Sequence, residues 1–192
     1  MSDAQLVARA AAPMVEIIND IKPDQLGMRT PCAEYDVRKL VNHLLFWGPS
    51  LVGAAYKESV PPPAEAETDV DLTEGDWAAV LDAHVARLVE AWSRPSAWEG
   101  VTSMGPMELP APLIAGMVVG ELVIHGWDLA RATGQHPAWD EDVLEYLLEE
   151  VTRSAEQGRQ MKVYGPEVIV PASSATVDRV LGLAGRDPSW AG

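Results

Sequence analysis

Apolar residues recur at helical spacing in five segments of the chain, and this periodicity limits the folds that the sequence can adopt. Helices are predicted at about residues 3–19, 36–56, 73–92, 113–132 and 140–157, with a shorter one at 175–184. One stretch, residues 167–171, has the character of an extended piece. Because so little strand signal accompanies these amphipathic helices, the sequence predicts an all-α four-helix bundle with an additional helix and a short irregular C-terminal segment. The 192 residues are within the size of one domain, so we expect a single helical domain over residues 1–192.

Proline and glycine mark the connections between these helices. Pro13 should kink or split the first helix. Asp36 is a candidate N-cap for the second helix, and residues 60–65 form a proline-rich, acidic linker. Residues 94–112 carry four prolines and two glycines, which predicts a long irregular loop. Since long loops in compact domains are often functional, this loop is a candidate wall or lid of a pocket.

Composition excludes several classes of partner. The formal net charge of −15 argues against nucleic acid, because a phosphate backbone is bound by clustered Lys and Arg. No run of about eighteen apolar residues is free of polar interruption, so a membrane span is not expected. Cys32 is the only cysteine, which excludes an intrachain disulfide, and the N-terminus lacks a signal-peptide pattern. The expected location is therefore the cytoplasm.

Two ionisable residues lie in the most apolar predicted helix. Glu121 and His125 are four residues apart, so they project from one helical face, and a carboxylate in such a setting is costly to bury unless it is paired, protonated or bound to a metal. This spacing alone also fits an ordinary helical pair. His43, on the apolar stripe of the second helix, favours a metal site, because bundles build such sites from facing helices. A His, His, Glu set is typical of catalytic zinc sites with one open position.

Other polar residues have weaker signals. His84 is expected to be a buried neutral histidine with a minor chance of lining the pocket, and His136 an exposed loop residue. Asp128 either orients a ligand or a substrate group, or forms an ion pair with Arg131 or Arg29. Cys32 precedes the second helix, whose dipole could lower the pKa of the thiol, and the alternative is an inert cysteine.

Three motifs carry a resemblance to a known family. Residues 30–44 look like the opening motif of an actinobacterial family related to the N-terminal domain of the mycothiol-dependent maleylpyruvate isomerase, within the DinB/YfiT-like metalloproteins. Residues 121–134 are similar to its second motif, and residues 182–188 resemble a third. The resemblance implies a four-helix core with an extra helix. It also implies that His43, Glu121 and His125 bind a divalent metal, usually zinc.

Relatives in the wider superfamily include isomerases and S-transferases that use mycothiol or bacillithiol. The resemblance therefore favours a thiol-dependent transferase or isomerase, in which a metal-bound thiolate attacks a small electrophile. The expected partners are a small-molecule substrate and a low-molecular-weight thiol, with a homodimer as the assembly to test. Two alternatives stay open, a metal-dependent hydrolase and a non-enzymatic metal- or small-molecule-binding protein. The hydrolase would need a general base, for which Asp128 and His84 are the candidates.

Overall fold

Helices from the two halves of the chain pack around one apolar core in the computed structural model, which describes residues 3–105 and 107–192. The helices are α1 (Asp3–Asp20), α2 (Val37–Ala55), α3 (Trp77–Trp92), α4 (Ala111–Gly120), α5 (Gly126–Thr133), α6 (Glu141–Gln160) and α7 (Thr176–Leu183). α3 packs against both α1 and α2, while α4 contacts α1, α2 and α6. The largest fully buried side chains include Trp92, Phe46 and Met14. The expected helical bundle is confirmed.

The helix ends follow the capping residues of the sequence. Asp36 caps α2 as predicted, since its Oδ1 accepts a hydrogen bond of 2.8 Å from the backbone N–H of Lys39. Gly134 ends α5 in the left-handed region with φ +77°. Of the two effects expected of Pro13, the splitting of the first helix does not occur, because α1 runs continuously through it. Ala10, Met14 and Ile17 are all buried on either side of Pro13, so packing outweighs the lost backbone hydrogen bond.

A π-helical turn, Glu121–His125, joins α4 to α5 into one long helix. This helix, Ala111–Thr133, is the one element in the described ranges that is long and apolar enough to cross a membrane, with a mean hydropathy of 1.5. Within its apolar window, 78% is buried inside the protein, as expected for a core helix. The π turn widens the helix at the two residues that the sequence marked as candidate ligands.

The segment predicted as a long irregular loop is ordered, so that prediction is wrong. A 3₁₀ turn (Pro95–Trp98) leads into β1 (Val101–Met104), which pairs antiparallel with β2 (Met107–Pro110). Thr102 is buried in β1, and its hydroxyl donates to the carbonyl of Ala54 at 2.5 Å. Ala54 lies eleven residues beyond His43 on α2, roughly 16 Å along the helix axis. The hairpin therefore packs at the C-terminal end of α2, away from His43.

The C-terminal segment folds back onto the bundle. α7 confirms the short helix expected at 175–184 and packs against α6. Residues 167–171 pair with no strand among the described residues, although the N–H of Val168 donates to the carbonyl of Gly182 at 3.0 Å. This contact brings the chain around Gly182 to Arg186 close to residues 165–170, which positions Arg186 for the site described next.

Candidate metal centre

Three side chains from α2 and the π turn converge on one point. His43 reaches it from α2, while Glu121 and His125 reach it from opposite ends of the π turn. The Oε2 atom of Glu121 lies 3.3 Å from Nε2 of His43 and 3.8 Å from Nε2 of His125. One ligand-type atom from each residue lies within 4.8 Å of the others, and all three side chains are largely buried. The structure thus brings together the three residues that the sequence singled out.

The second ring nitrogen of each histidine faces a carboxylate. Nδ1 of His43 lies 3.0 Å from Oε1 of Glu67, and Nδ1 of His125 lies 3.0 Å from Oδ2 of Asp128. A carboxylate accepts a hydrogen bond from a proton-bearing nitrogen, so this pairing places a hydrogen on Nδ1 and directs Nε2 at the shared point. Both imidazoles are therefore held in the orientation that a metal ligand needs.

Asp128 lies between His125 and a buried arginine. It is 0% exposed, and its carboxylate accepts hydrogen bonds from Nε and Nη2 of Arg186, the shortest at 3.0 Å. Arg186 is 5% exposed and also donates to the carbonyl of Ala184. Of the two alternatives for Asp128, the ion pair is observed, and the carboxylate also contacts Nδ1 of the candidate ligand His125. The predicted partners are wrong, because Arg186 takes the place proposed for Arg131 or Arg29.

Glu67 was missed by sequence reasoning. It lies on a 3₁₀ turn (Glu67–Asp69), just beyond the stretch read as a proline-rich, acidic linker. Besides facing His43, its carboxylate accepts hydrogen bonds from Nε1 of Trp47 at 2.7 Å and from the hydroxyl of Tyr35 at 3.3 Å. No periodicity marks Glu67 among its acidic neighbours, so the sequence offered no signal for it.

The electrostatics of the centre suit a cation. Although burial alone would raise the pKa of Glu121, the charges of His125 and His43 lower it to about 2. Burial acts against the charged form of His43, yet Glu121 and Glu67 overcome it and raise the pKa of His43 to about 10. Burial, with the charge of Glu67, also raises the pKa of Tyr35, which keeps its hydroxyl as a donor. The carboxylates therefore favour a positive charge at His43, which either a proton or a bound cation on Nε2 would supply.

The remaining candidates lie outside this cluster or take other roles. His84 packs on Gly48 and lines a small apolar cavity, which Glu121 also lines. Burial, followed by the charge of Arg87, lowers the pKa of His84, which favours the expected neutral form. His136 is exposed, as predicted. Burial raises the pKa of the Cys32 thiol, which favours the inert alternative over an activated thiol.

An open groove of about 750 Å³ adjoins the centre along the start of α2. Its two walls are α2 with the turn before it, and the crossover between α2 and α3. Residues that line it include Tyr35, Arg38, Asn42, Trp47, Glu67 and Asp71. Because Tyr35 and Glu67 also contact His43, the groove opens beside the candidate ligands, and its volume is in the range of small-molecule sites.

The donor set fits a divalent metal ion. Ligand atoms about 2.1 Å from a shared zinc ion are about 3.4 Å apart in a tetrahedral arrangement, and the observed separations from Glu121 are 3.3 and 3.8 Å. Two neutral imidazoles and one carboxylate occupy three positions, and both imidazoles have the carboxylate partners that accompany metal-bound histidines. The residues present therefore match a three-ligand site with one open position.

Comparison with known proteins identifies the family of this chain. A family model described as the mycothiol maleylpyruvate isomerase N-terminal domain matches residues 7–130. The chain belongs to this family. The matched range contains His43, Glu67, Glu121 and His125, whereas Arg186 lies beyond it. For this member of the mycothiol maleylpyruvate isomerase N-terminal domain family, the C-terminal segment thus adds a buried arginine to the centre.

Relatives and solved structures are also similar to this chain. An uncharacterized protein of Mycobacterium tuberculosis, from strains CDC 1551 / Oshkosh and ATCC 25618 / H37Rv, is 28% identical over 135 residues, which are 70% of this chain and 69% of that protein. A crystal structure of the mycothiol-dependent maleylpyruvate isomerase superposes with a TM-score of 0.66 at 16% identity, covering 97% of this chain and 89% of that one. A histidine-to-alanine mutant gives 0.62 at 18% identity, covering 98% and 80%. These matches confirm the DinB-like helical fold.

Proposed function

We propose that this protein is a divalent-metal-dependent enzyme that acts on a small electrophile with the help of a low-molecular-weight thiol. It either isomerises the electrophile or transfers the thiol onto it. His43, Glu121 and His125 are the proposed metal ligands, and zinc and mycothiol are the proposed metal and thiol. The observation that carries the proposal is the convergence of two Nε2 atoms and one carboxylate oxygen, with both Nδ1 atoms paired to carboxylates. Membership of a family named for a mycothiol-dependent isomerase supports the thiol.

The chain's own residues have distinct tasks in this proposal. A divalent cation held by the three ligands would stabilise a deprotonated thiol at its open position. Glu67 and Asp128 fix the rings of His43 and His125, and Arg186 balances the buried charge of Asp128. Tyr35, whose ring lies 5.2 Å from that of His43, keeps a protonated hydroxyl on the wall of the groove. The groove would hold the bulk of the thiol or the electrophile.

The hydrolase alternative needs a general base, and neither of its two candidates, Asp128 and His84, is placed to act as one. Asp128 is fully buried and committed to His125 and Arg186, so it cannot take a proton from water at the open position. His84 lines the small apolar cavity next to Glu121 and does not line the groove. The binding-protein alternative has no such conflict and is separated from the enzyme by the activity measurement below.

We further propose that residues 1–192 act as one metal-binding domain in the cytoplasm. The residues around the centre range from Tyr35 to Arg186 in sequence, so elements from most of the length of the chain contribute to one site. A reduced thiol co-substrate and a lone cysteine both suit a reducing compartment.

Metal content tests the ligand assignment. Protein purified without a histidine tag should contain about one divalent ion per chain, and His43→Ala, Glu121→Ala and His125→Ala should each lose most of it, because two donors cannot hold the ion against dialysis. His136→Ala is the matched control, since this histidine is exposed and distant from the centre, and it should retain the ion. Full occupancy in any of the three ligand variants would refute the assignment.

Activity separates the candidate functions. Loss of maleylpyruvate or another small electrophile that requires added mycothiol, and that disappears in Glu121→Ala, would support the thiol-dependent enzyme. Turnover of an ester or amide without thiol would instead support the hydrolase. A metal-loaded protein that shows neither activity would leave the binding protein as the better description.

A further inference from the structure

The crossover from α2 to α3, residues 57–76, lies against the bundle with little burial. None of residues 57–72 is buried, and the regular structure within the crossover is the 3₁₀ turn Glu67–Asp69. Segments with few buried apolar contacts open at low free energy. Beyond the partly buried Leu72, the contacts that position this crossover are largely polar bonds to α2 and the turn that precedes it.

Glu67 is the centre of those bonds. One carboxylate contacts Nδ1 of His43, Nε1 of Trp47 and the hydroxyl of Tyr35. The backbone beside it is tied by Asn42, whose side-chain amide donates to the carbonyl of Glu67 at 3.1 Å and accepts from the N–H of Leu72 at 2.7 Å. The carboxylate that orients His43 thus also anchors the crossover.

We propose that Glu67 is a positioning residue that couples metal occupancy at His43 to the order of the crossover 57–76. This inference rests on the metal site of the proposed function. A cation on Nε2 of His43 fixes the ring in the orientation in which Nδ1 donates to Glu67, and so holds that carboxylate and its turn in place. Because coupling free energies are reciprocal, a crossover held in place also tightens the metal.

The coupling has a consequence for the groove. The crossover supplies one wall of the groove through Glu65 to Asp71, while α2 supplies the other. When the crossover is ordered, Glu67 and Tyr35 stand at the inner end of the groove beside His43. Metal binding therefore completes the substrate groove as well as the reactive centre.

Two measurements on Glu67→Ala and Glu67→Gln test the coupling. Zinc affinity, from competition with a chromophoric chelator, should fall about 10–100-fold in Glu67→Ala and less in Glu67→Gln, whose amide oxygen still accepts a hydrogen bond. Hydrogen–deuterium exchange of peptides spanning residues 64–73 should slow on adding zinc to the wild type and should not respond to zinc in Glu67→Ala. Glu74→Ala is the matched control, an exposed carboxylate on the same crossover but outside the groove lining, and should behave as wild type.

The outcomes separate this inference from the proposed function. Wild-type zinc binding with unchanged affinity in Glu67→Ala would overturn the positioning role and leave the metal site intact. Lower affinity in Glu67→Ala, with exchange that still slows on adding zinc, would overturn the coupling. Failure of the wild type to bind any divalent ion would refute the metal site itself.

Discussion

His43 and His125 are held by carboxylates in very different surroundings. Glu67 is a partly buried residue on an otherwise exposed turn of the crossover, whereas Asp128 is inaccessible to solvent and paired with Arg186. At the scale of single residues, one side of the centre is therefore set by a fixed ion pair and the other by a bond that can be released. This asymmetry makes different predictions for the two carboxylates.

Removal of the charge at Arg186 should be strongly destabilising. Arg186→Met leaves the fully buried Asp128 with His125 as its remaining polar partner, and breaking a buried ion pair from one side costs about 3–5 kcal/mol. Urea denaturation of the metal-free proteins measures this loss. Arg153→Met is the control, because Arg153 is 67% exposed in its pair with Glu150 and should lose at most about 1 kcal/mol.

A second variant identifies the cause of that loss. Adding Asp128→Asn to Arg186→Met removes the uncompensated charge, so the double variant should be more stable than Arg186→Met alone. If the double variant is the less stable of the two, Arg186 acts through packing rather than through the charge of Asp128.

At the scale of elements, the π turn is the feature that joins fold to site. A helix bonded from residue i to i+5 has more residues in each turn than an α-helix, so residues four apart lie more nearly in line along its axis. Glu121 and His125 occupy the two ends of this turn. Of the two glycines that flank it, Gly126 sits in close packing, since a Cβ there would lie 3.1 Å from the ring of Trp139, whereas a Cβ on Gly120 would make ordinary contacts at 3.9 Å.

Periodicity predicted the helices, because apolar spacing is a local signal that repeats along one face. The spacing of Glu121 and His125 and the apolar stripe that contains His43 indicated a metal site, and the family resemblance implied the full set of three ligands. Glu121 and His125 are four residues apart in the sequence whether the turn is π-helical or α-helical, so the sequence could not reveal the π turn. Glu67 and Arg186 act over 24 and 58 residues of chain, and such pairings depend on tertiary packing.

The glycine before Arg186 should be essential for the C-terminal segment to dock. Gly185 has φ +82°, and a Cβ there would lie 2.6 Å from the backbone of Gly165, so Gly185→Ala adds a clash to the left-handed strain. Gly134→Ala is a matched control, with φ +77° and no atom within 4 Å of the added Cβ. We expect Gly134→Ala to lose about 1–2 kcal/mol and Gly185→Ala clearly more, measured by urea denaturation.

Equal losses in the two glycine variants would contradict this reasoning. They would mean that residues 165 and 185 separate freely, and that the tight crossing does not fix Arg186. A selective loss in Gly185→Ala should be accompanied by weaker zinc binding, because Arg186 reaches His125 through Asp128.

At the scale of the whole molecule, the centre connects parts of the chain that are far apart in sequence. Its ligands come from α2 and the π turn, and their supports come from the crossover and the C-terminal segment. A metal bound there stabilises the folded state and has no preformed site in the unfolded chain, so its binding free energy adds to the folding free energy. Metal removal should therefore be visible in global unfolding.

Chelation should lower the melting temperature of the wild type. Free zinc at 100 times its dissociation constant stabilises the folded state by about 2.7 kcal/mol, which for a chain of this length corresponds to about 5–10 °C. Calorimetric scans with zinc and after EDTA measure the shift. Glu121→Ala, which lacks the central carboxylate, should melt at the same temperature in both conditions. A full shift in Glu121→Ala would mean that zinc acts through the many exposed carboxylates of this acidic chain, and not through the three converging ligands.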